Sequence, residues 1–289
     1  MLVYLRLFRI HQWVKNLFVF AAAFFGGVFS TDILVHALLP GFFCFCIVAS
    51  GIYVLNDVMD VASDRLHPEK SKRPIASGEV PVNVAYVLVV VLFASGLAIA
   101  WFVNQSVFWL LALYAVINIS YSALLKRISI LDILLVSSGF IIRIVAGGIL
   151  AGVVVSHWLY IMTFLIALFL AIAKRRDDVV LLETTGAEMR KSVKGYSLEF
   201  VNAAMSMMSA VIVVGYILYV TSPEIVNRYP GKPLYISVVF VIAGLLRYLQ
   251  ITMVEKRSGS PTQVILKDIF VQACIILWVA FFAMAIYYK

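Results

Sequence analysis

The sequence predicts an all-α, polytopic membrane protein: nine transmembrane helices in one bundle, with chemistry carried on cytoplasmic cap loops. Three observations predict it. The first is composition: of 289 residues, 63% are hydrophobic and 13% charged, where a soluble domain is roughly half apolar and a quarter charged. The second is the length of the apolar runs, which approach the ~20 residues a helix needs to cross the hydrocarbon core. The third is the placement of basic residues, which alternates from one connection to the next. No period-two alternation marks barrel strands. A backbone in lipid must satisfy its own hydrogen bonds, which leaves helices.

In chain order the expected spans are 16–30, 34–55, 82–103, 107–125, 130–152, 157–173, 200–220, 234–253 and 265–287. Arg6, Arg9 and Lys15 precede the first, and no small-residue cleavage site follows it. The N-terminus therefore reads as an interfacial helix entering the first span, not as a cleaved signal. The connections 31–33, 104–106, 153–156 and 221–233 carry little charge; 56–81, 126–129, 174–199 and 254–264 are basic. Positive charge retained inside places the N-terminus and the basic loops in the cytoplasm. With an odd number of spans, the C-terminus falls outside the cell (inner) membrane.

Nothing repeats along the chain and nothing is of low complexity, so residues 1–289 read as a single integral membrane domain. The net charge of +8 follows from the loop asymmetry and gives no ground for a nucleic-acid partner. Cys44, Cys46 and Cys274 lie in apolar runs without metal-ligand spacing and read as buried thiols. Lipid-facing and subunit-facing surfaces read alike, so a homo-oligomer is as compatible with the sequence as a monomer.

Two of the basic loops carry more pattern than a connector needs. The first opens with NDVMDVASD at 56–64. On a continuous helix Asn56, Asp57, Asp60 and Asp64 fall within an arc of about 100°. Uncompensated carboxylates that close repel one another, and a hard divalent cation relieves the repulsion. Mg²⁺ takes oxygen ligands, keeps waters and binds through a few carboxylates together with substrate phosphates. Pro68, Pro74 and Pro81 prevent a long helix beyond. Arg65, Lys70, Lys72 and Arg73 follow the carboxylates and suit the phosphates of a metal-bridged polyphosphate, with ordinary interior-loop charge as the alternative for Lys70 or Lys72; Arg73, fixed before Pro74, is the favoured ligand.

The second loop holds Lys174, Arg175, Arg176, Asp177 and Asp178, then Glu183, Arg190, Lys191, Lys194 and Tyr196. It is net basic and reads as an anion-binding half or as an amphipathic segment on anionic lipid. Arg143 lies well inside the fifth span, where a charge is costly and points to function. Asp132, eleven residues earlier on nearly the same face, is the alternative structural partner. Arg247, nearer a span end, reads as snorkelling. Tyr121 and Lys126 close the fourth span on the same side, and Lys15 in QWVKN at 12–16 is a further phosphate candidate.

Nine helices with NDxxDxxxD after the second resemble the UbiA superfamily of intramembrane prenyltransferases over nearly the whole chain. That resemblance implies aspartates holding Mg²⁺ on a diphosphate and a second aspartate motif, often DxxxD, after the sixth helix. This chain has Lys-Arg-Arg-Asp-Asp at 174–178 instead. The stretches QWVKN, NDVMDVASDRLHPEKSKRPIASG, SSGFIIRIVAGG and KR…ETTGAEMRKS are similar to the phosphoribosyltransferase branch of that superfamily. The branch implies 5-phosphoribosyl 1-diphosphate as donor and a polyprenyl phosphate as acceptor; Lys15, Asn56, Arg73, Tyr121, Lys126, Arg143 and the second-loop residues are the candidates to bind them. A prenyltransferase acting on an aromatic acceptor uses the same aspartates but implies a more acidic second loop. A transporter implies charges near the midplane on broken helices, whereas here charge gathers at one face.

Overall fold

The structure, a computed structural model, describes residues 2–66, 70–185, 191–255 and 261–288. Among them the regular elements are helical, with no strand. Eight helices are long and apolar enough to cross a membrane. The expected span at 16–30 is not one of them, so eight of the nine expected spans form such helices. There the chain forms α1 (Leu2–Leu7), a 3-10 helix over Ile10–Phe20, and the short α2 (Ala21–Gly26). Arg9, in the left-handed region at φ 52, separates α1 from the 3-10 helix, and Gly27 at φ 71 ends α2. Hydropathy records how apolar a run is, not whether it stays one regular α-helix.

The chain forms two compact units, residues 1–127 with 138–155, and residues 128–137 with 156–289. The first contains α3 (Thr31–Met59), α4 (Val61–Arg65), α5 (Val82–Val103), α6 (Gln105–Ala123) and most of α7 (Leu131–Ala151). Asn104 breaks α5 from α6. Its backbone is extended and its side chain accepts from the N–H groups of Ser106 and Val107 at 2.9 and 3.2 Å, satisfying donors a helix start leaves orphaned. Val19, Phe45, Val48, Leu111, Tyr114 and Ala146 meet in the core of this unit. Gly147 permits the 3-10 helix to lie against α7, because a Cβ there would fall 2.0 Å from the Val19 carbonyl oxygen. A second cluster, including Leu7, Val54, Val58, Ile75 and Val80, roots the loop after α4 at the end of α3. That packing is what fixes Arg73 and Pro74.

The second unit contains the start of α7, then α8 (His157–Thr185), α9 (Leu198–Thr221), α10 (Leu234–Val254), α11 (Pro261–Lys267) and α12 (Ile269–Tyr287). Ser197 caps α9 by accepting from Phe200 N–H. Asp268 caps α12 through Val271 N–H at 2.9 Å and also pairs with Arg247 at 2.7 Å. Arg247 pairs with Glu255 too, so its charge is compensated by carboxylates rather than only snorkelled to water. α8 continues past the expected end near 173, and the cluster Lys174–Asp178 is helical. Over their apolar windows α3 and α7 are 44% and 56% buried, but α5 and α12 only 17%. Burial that low on helices this apolar suits faces solvated by lipid.

Candidate functional site

In the first unit, α3 ends at Met59 and Asp60 (φ −95, ψ 3) forms the corner into α4. Asn56 and Asp57 sit in the last turn of α3, and Asp64 in α4. Asp57 and Asp64 are 2% and 3% exposed. The expectation of three uncompensated carboxylates on one face is corrected here, since each has its own cation. Arg9 pairs with Asp57, Arg73 Nη1 donates to Asp57 at 3.0 Å and to Asp64 at 2.6 Å, and Lys126 Nζ donates to Asp60 at 2.7 Å. Carboxylates buried this deeply require such partners, because an ion taken out of water and left unpaired costs several kcal/mol.

Among the described residues no three acidic, histidine or cysteine side chains stand close enough to hold a metal ion. The donor set nevertheless fits Mg²⁺ in kind. It offers three carboxylates and the Asn56 Oδ1, which is buried without a hydrogen-bond partner, all hard oxygen ligands. Arg73 already holds positive charge between Asp57 and Asp64.

A second constellation lies in the same unit. Arg143, 5% exposed, donates from Nε to Asn16 Oδ1 at 2.7 Å, from Nη1 to the Gly139 carbonyl at 2.7 Å, and from Nη2 to the Tyr114 hydroxyl at 2.9 Å. Its guanidinium lies 4.7 Å from the Tyr114 ring centroid. All these partners are neutral, and Arg143 forms no ion pair among the described residues. Asp132 does not serve it. The stretch QWVKN reaches this place because Trp13 Nε1 donates to Ser50 and Asn16 Nδ2 to Cys46 Sγ, tying the 3-10 helix to α3. Lys15 follows from that anchoring: burial first, then the nearby Arg143 charge, push its amine down to about 8. Arg143 thus keeps its charge among neutral hydrogen-bond partners, with the Lys15 amine nearby, an arrangement that suits an anion.

The second unit sorts the basic cluster. Arg175 is 2% exposed, with Nε 3.0 Å from Asp132 and Nη1 on Asp178. Asp132, fully buried, also accepts from Tyr196 Oη at 2.8 Å and Ser192 Oγ at 3.1 Å. Tyr196 Oη in turn accepts the Ile130 N–H at 2.6 Å, where Ile130 has φ 69. Burial pushes the Tyr196 hydroxyl up to about 12, so it remains a donor. Arg175 and Tyr196 are thus engaged in an internal clamp that fastens the segment 191–196 to the turn 129–132. Arg176, 3% exposed, donates to Asn202 Oδ1 at 2.7 Å. Lys174 and Glu183 are exposed, and Asp177 and Tyr121 are partly buried. Arg190 and the side chain of Lys191 lie outside the described residues.

Sequence reasoning overlooked Arg9, Tyr114, Asp132 as partner of Arg175, and Asn202. Arg9 read as one more interior charge. The other three are single polar residues in apolar runs whose partners lie far away along the chain.

A family model described as the UbiA prenyltransferase family matches residues 16–265. The chain is 33% identical over 291 residues to a decaprenyl-phosphate phosphoribosyltransferase of Mycolicibacterium smegmatis, covering 97% of this chain and 91% of that one. It is 34% identical over 284 residues to the protein of that name in Corynebacterium glutamicum, covering 96% and 85%. Among solved structures, a UbiA homolog from Archaeoglobus fulgidus bound to DMAPP and Mg²⁺ superposes with a TM-score of 0.70 at 22% identity, covering 99% of each chain.

Proposed function

This chain belongs to the UbiA prenyltransferase family and is an integral membrane transferase, and we propose that it moves a 5-phosphoribosyl group from 5-phosphoribosyl 1-diphosphate to a polyprenyl phosphate such as decaprenyl phosphate, releasing diphosphate. The carboxylate-free pair Lys15 and Arg143 carries this reading. It suits an acceptor that is itself a phosphate, whereas an uncharged aromatic acceptor gives it nothing to bind. The names of the relatives in mycobacteria and corynebacteria support the same donor and acceptor.

In this reading Asn56, Asp57, Asp60 and Asp64 would hold Mg²⁺ for the donor's diphosphate. When bound, the ion neutralises charge growing on the leaving group. Arg73, with Tyr121 and Lys126 at the end of α6, completes the grip on that group. Lys174, Arg176, Asp177, Glu183, Arg190 and Lys191 are further substrate-binding residues in this reading. Arg143 and Lys15 place the acceptor phosphate with an oxygen facing C1 of the ribose. That oxygen attacks C1 as the C1–O bond to diphosphate breaks, the bonding pair leaves with diphosphate, and C1 inverts. A phosphate monoester is already anionic at neutral pH, so positioning replaces a strong general base. Water-soluble donor and lipid acceptor meet at the cytoplasmic boundary, with the N-terminus and both loops inside. Residues 1–289 act as one transferase domain, consistent with a family match that runs through both units.

Purified protein in detergent, given Mg²⁺, decaprenyl phosphate and radiolabelled phosphoribosyl diphosphate, is expected to move label into the organic phase and to stop with EDTA. Transfer only from a prenyl diphosphate to 4-hydroxybenzoate would replace this reading with prenyl transfer.

A further inference from the structure

Asp57 meets two guanidinium groups at one oxygen. Its Oδ1 accepts from Arg73 Nη1 at 3.0 Å and from Arg9 Nη2. The two arginines are held differently. Arg73 also donates to Asp64, and its loop is rooted by Ile75 and Val80. Arg9 instead lies over the Tyr53 ring, 5.1 Å from its centroid. Tyr53 and Asp57 are one turn apart on α3, so one guanidinium rests on a neutral ring and a carboxylate together. The ring holds a cation without cancelling its charge. The backbone delivers Arg9 to this place. Leu7 is buried with Val54 and Val58, and the Phe8 carbonyl accepts from Ser50 Oγ at 3.1 Å, which leaves Arg9 left-handed at φ 52. A non-glycine residue keeps such a conformation only where its surroundings impose it, and residues of this kind gather at functional sites.

Arg9, Arg73 and Lys126 balance Asp57, Asp60 and Asp64 charge for charge. A divalent cation that takes Asp57 is opposed by both guanidinium charges. Arg73 cannot yield without abandoning Asp64, whereas Arg9 keeps the Tyr53 ring when it gives up the carboxylate. We infer that Arg9 is a resident counter-ion of Asp57 that competes with Mg²⁺ for that carboxylate, and so sets the Mg²⁺ concentration at which the acidic site fills. The inference rests on the reading of Asp57 as a Mg²⁺ ligand and on no property of the donor or acceptor.

Thermal protection of detergent-solubilised full-length protein, titrated with Mg²⁺ at fixed ionic strength and without substrates, reads the metal rather than turnover. Arg9→Gln keeps a hydrogen-bond donor and removes the charge. Its half-maximal Mg²⁺ concentration is expected to fall about tenfold, the effect of one like charge removed from close to the ion. Before Mg²⁺ is added the variant should melt lower than the unmodified chain, because Asp57 has lost a cation. Arg9→Lys keeps the charge and should titrate with the unmodified chain. Arg6→Gln removes a nearby charge whose partner is Glu79, and it should also titrate unchanged. If Arg9→Gln does not fold, Arg9→Gly removes the same charge and adopts φ 52 without strain. Protection of the charge-free variant at the unmodified Mg²⁺ concentration, or only at a higher one, would overturn the inference and leave Asp57 as a ligand. No protection in any of these chains would overturn the magnesium reading and this inference together.

Discussion

Arg73 Nη1 reaches Asp57 at 3.0 Å and Asp64 at 2.6 Å, so a single guanidinium nitrogen bridges two buried carboxylates seven residues apart. The bridge crosses the corner at Asp60 and fastens the end of α3 to α4. It also makes Arg73 a structural tie as well as a proposed ligand of the diphosphate.

Removing Arg73 therefore acts twice. Arg73→Ala leaves Asp57 with Arg9 alone and Asp64 without its cation. Stability is expected to fall by about 2–3 kcal/mol, as for loss of a charged hydrogen-bond partner, and transfer by at least roughly a hundredfold. Thermal melting beside a radiolabel transfer assay checks both, and intact activity would remove Arg73 from the diphosphate site.

Asp57→Asn or Asp64→Asn keeps shape and removes charge. Each is expected to abolish transfer while the protein still inserts and purifies. The radiolabel transfer assay checks this, and full activity at unaltered Mg²⁺ would end the metal assignment.

Lys15 gives two pH effects of opposite sign. Its amine is pushed down to about 8 in the folded protein from an ordinary 10.5. Between those values the unfolded chain binds a proton that the folded chain has released, so stability contributed by this group rises with pH across that window. The charged amine needed for an anion is lost across the same pH range, so acceptor affinity falls above about pH 8. A rising melting point beside a rising acceptor KM is the expected signature, and it should vanish in Lys15→Met.

Asn16→Asp tests the proposed acceptor site around Arg143. A carboxylate on Arg143 Nε should raise the KM for polyprenyl phosphate about tenfold or more, leaving the donor KM unchanged. An unaltered acceptor KM would take Arg143 out of the acceptor site.

The clamp in the second unit makes a prediction about folding rather than binding. Tyr196→Phe leaves the Ile130 N–H without its acceptor and Asp132 with one donor fewer. A loss of about 1–3 kcal/mol is expected, checked by melting. Gly195→Ala should also destabilise, because the added Cβ would lie 2.1 Å from Ser129 Oγ.

By itself the sequence determined the solvent and the chemistry at one end of the molecule. An apolar fraction of 63% excludes a soluble interior, and runs of that length in lipid are helices because no other backbone satisfies itself there. The spacing of Asn56, Asp57, Asp60 and Asp64, with Arg73 before a proline, marked the acidic site, since local order needs only local residues. Tertiary structure alone decided which charges are compensated. Arg175 and Arg176 are indistinguishable in the chain; Asp132, forty-odd positions away, neutralises the first, and Asn202 only orients the second. Arg143 and Asp132 share a helix and yet belong to different networks, Asn16 and Tyr114 for one, Arg175 and Tyr196 for the other. A charge is set by what approaches it through space, and in an apolar helix each partner is a single polar residue that no periodicity announces.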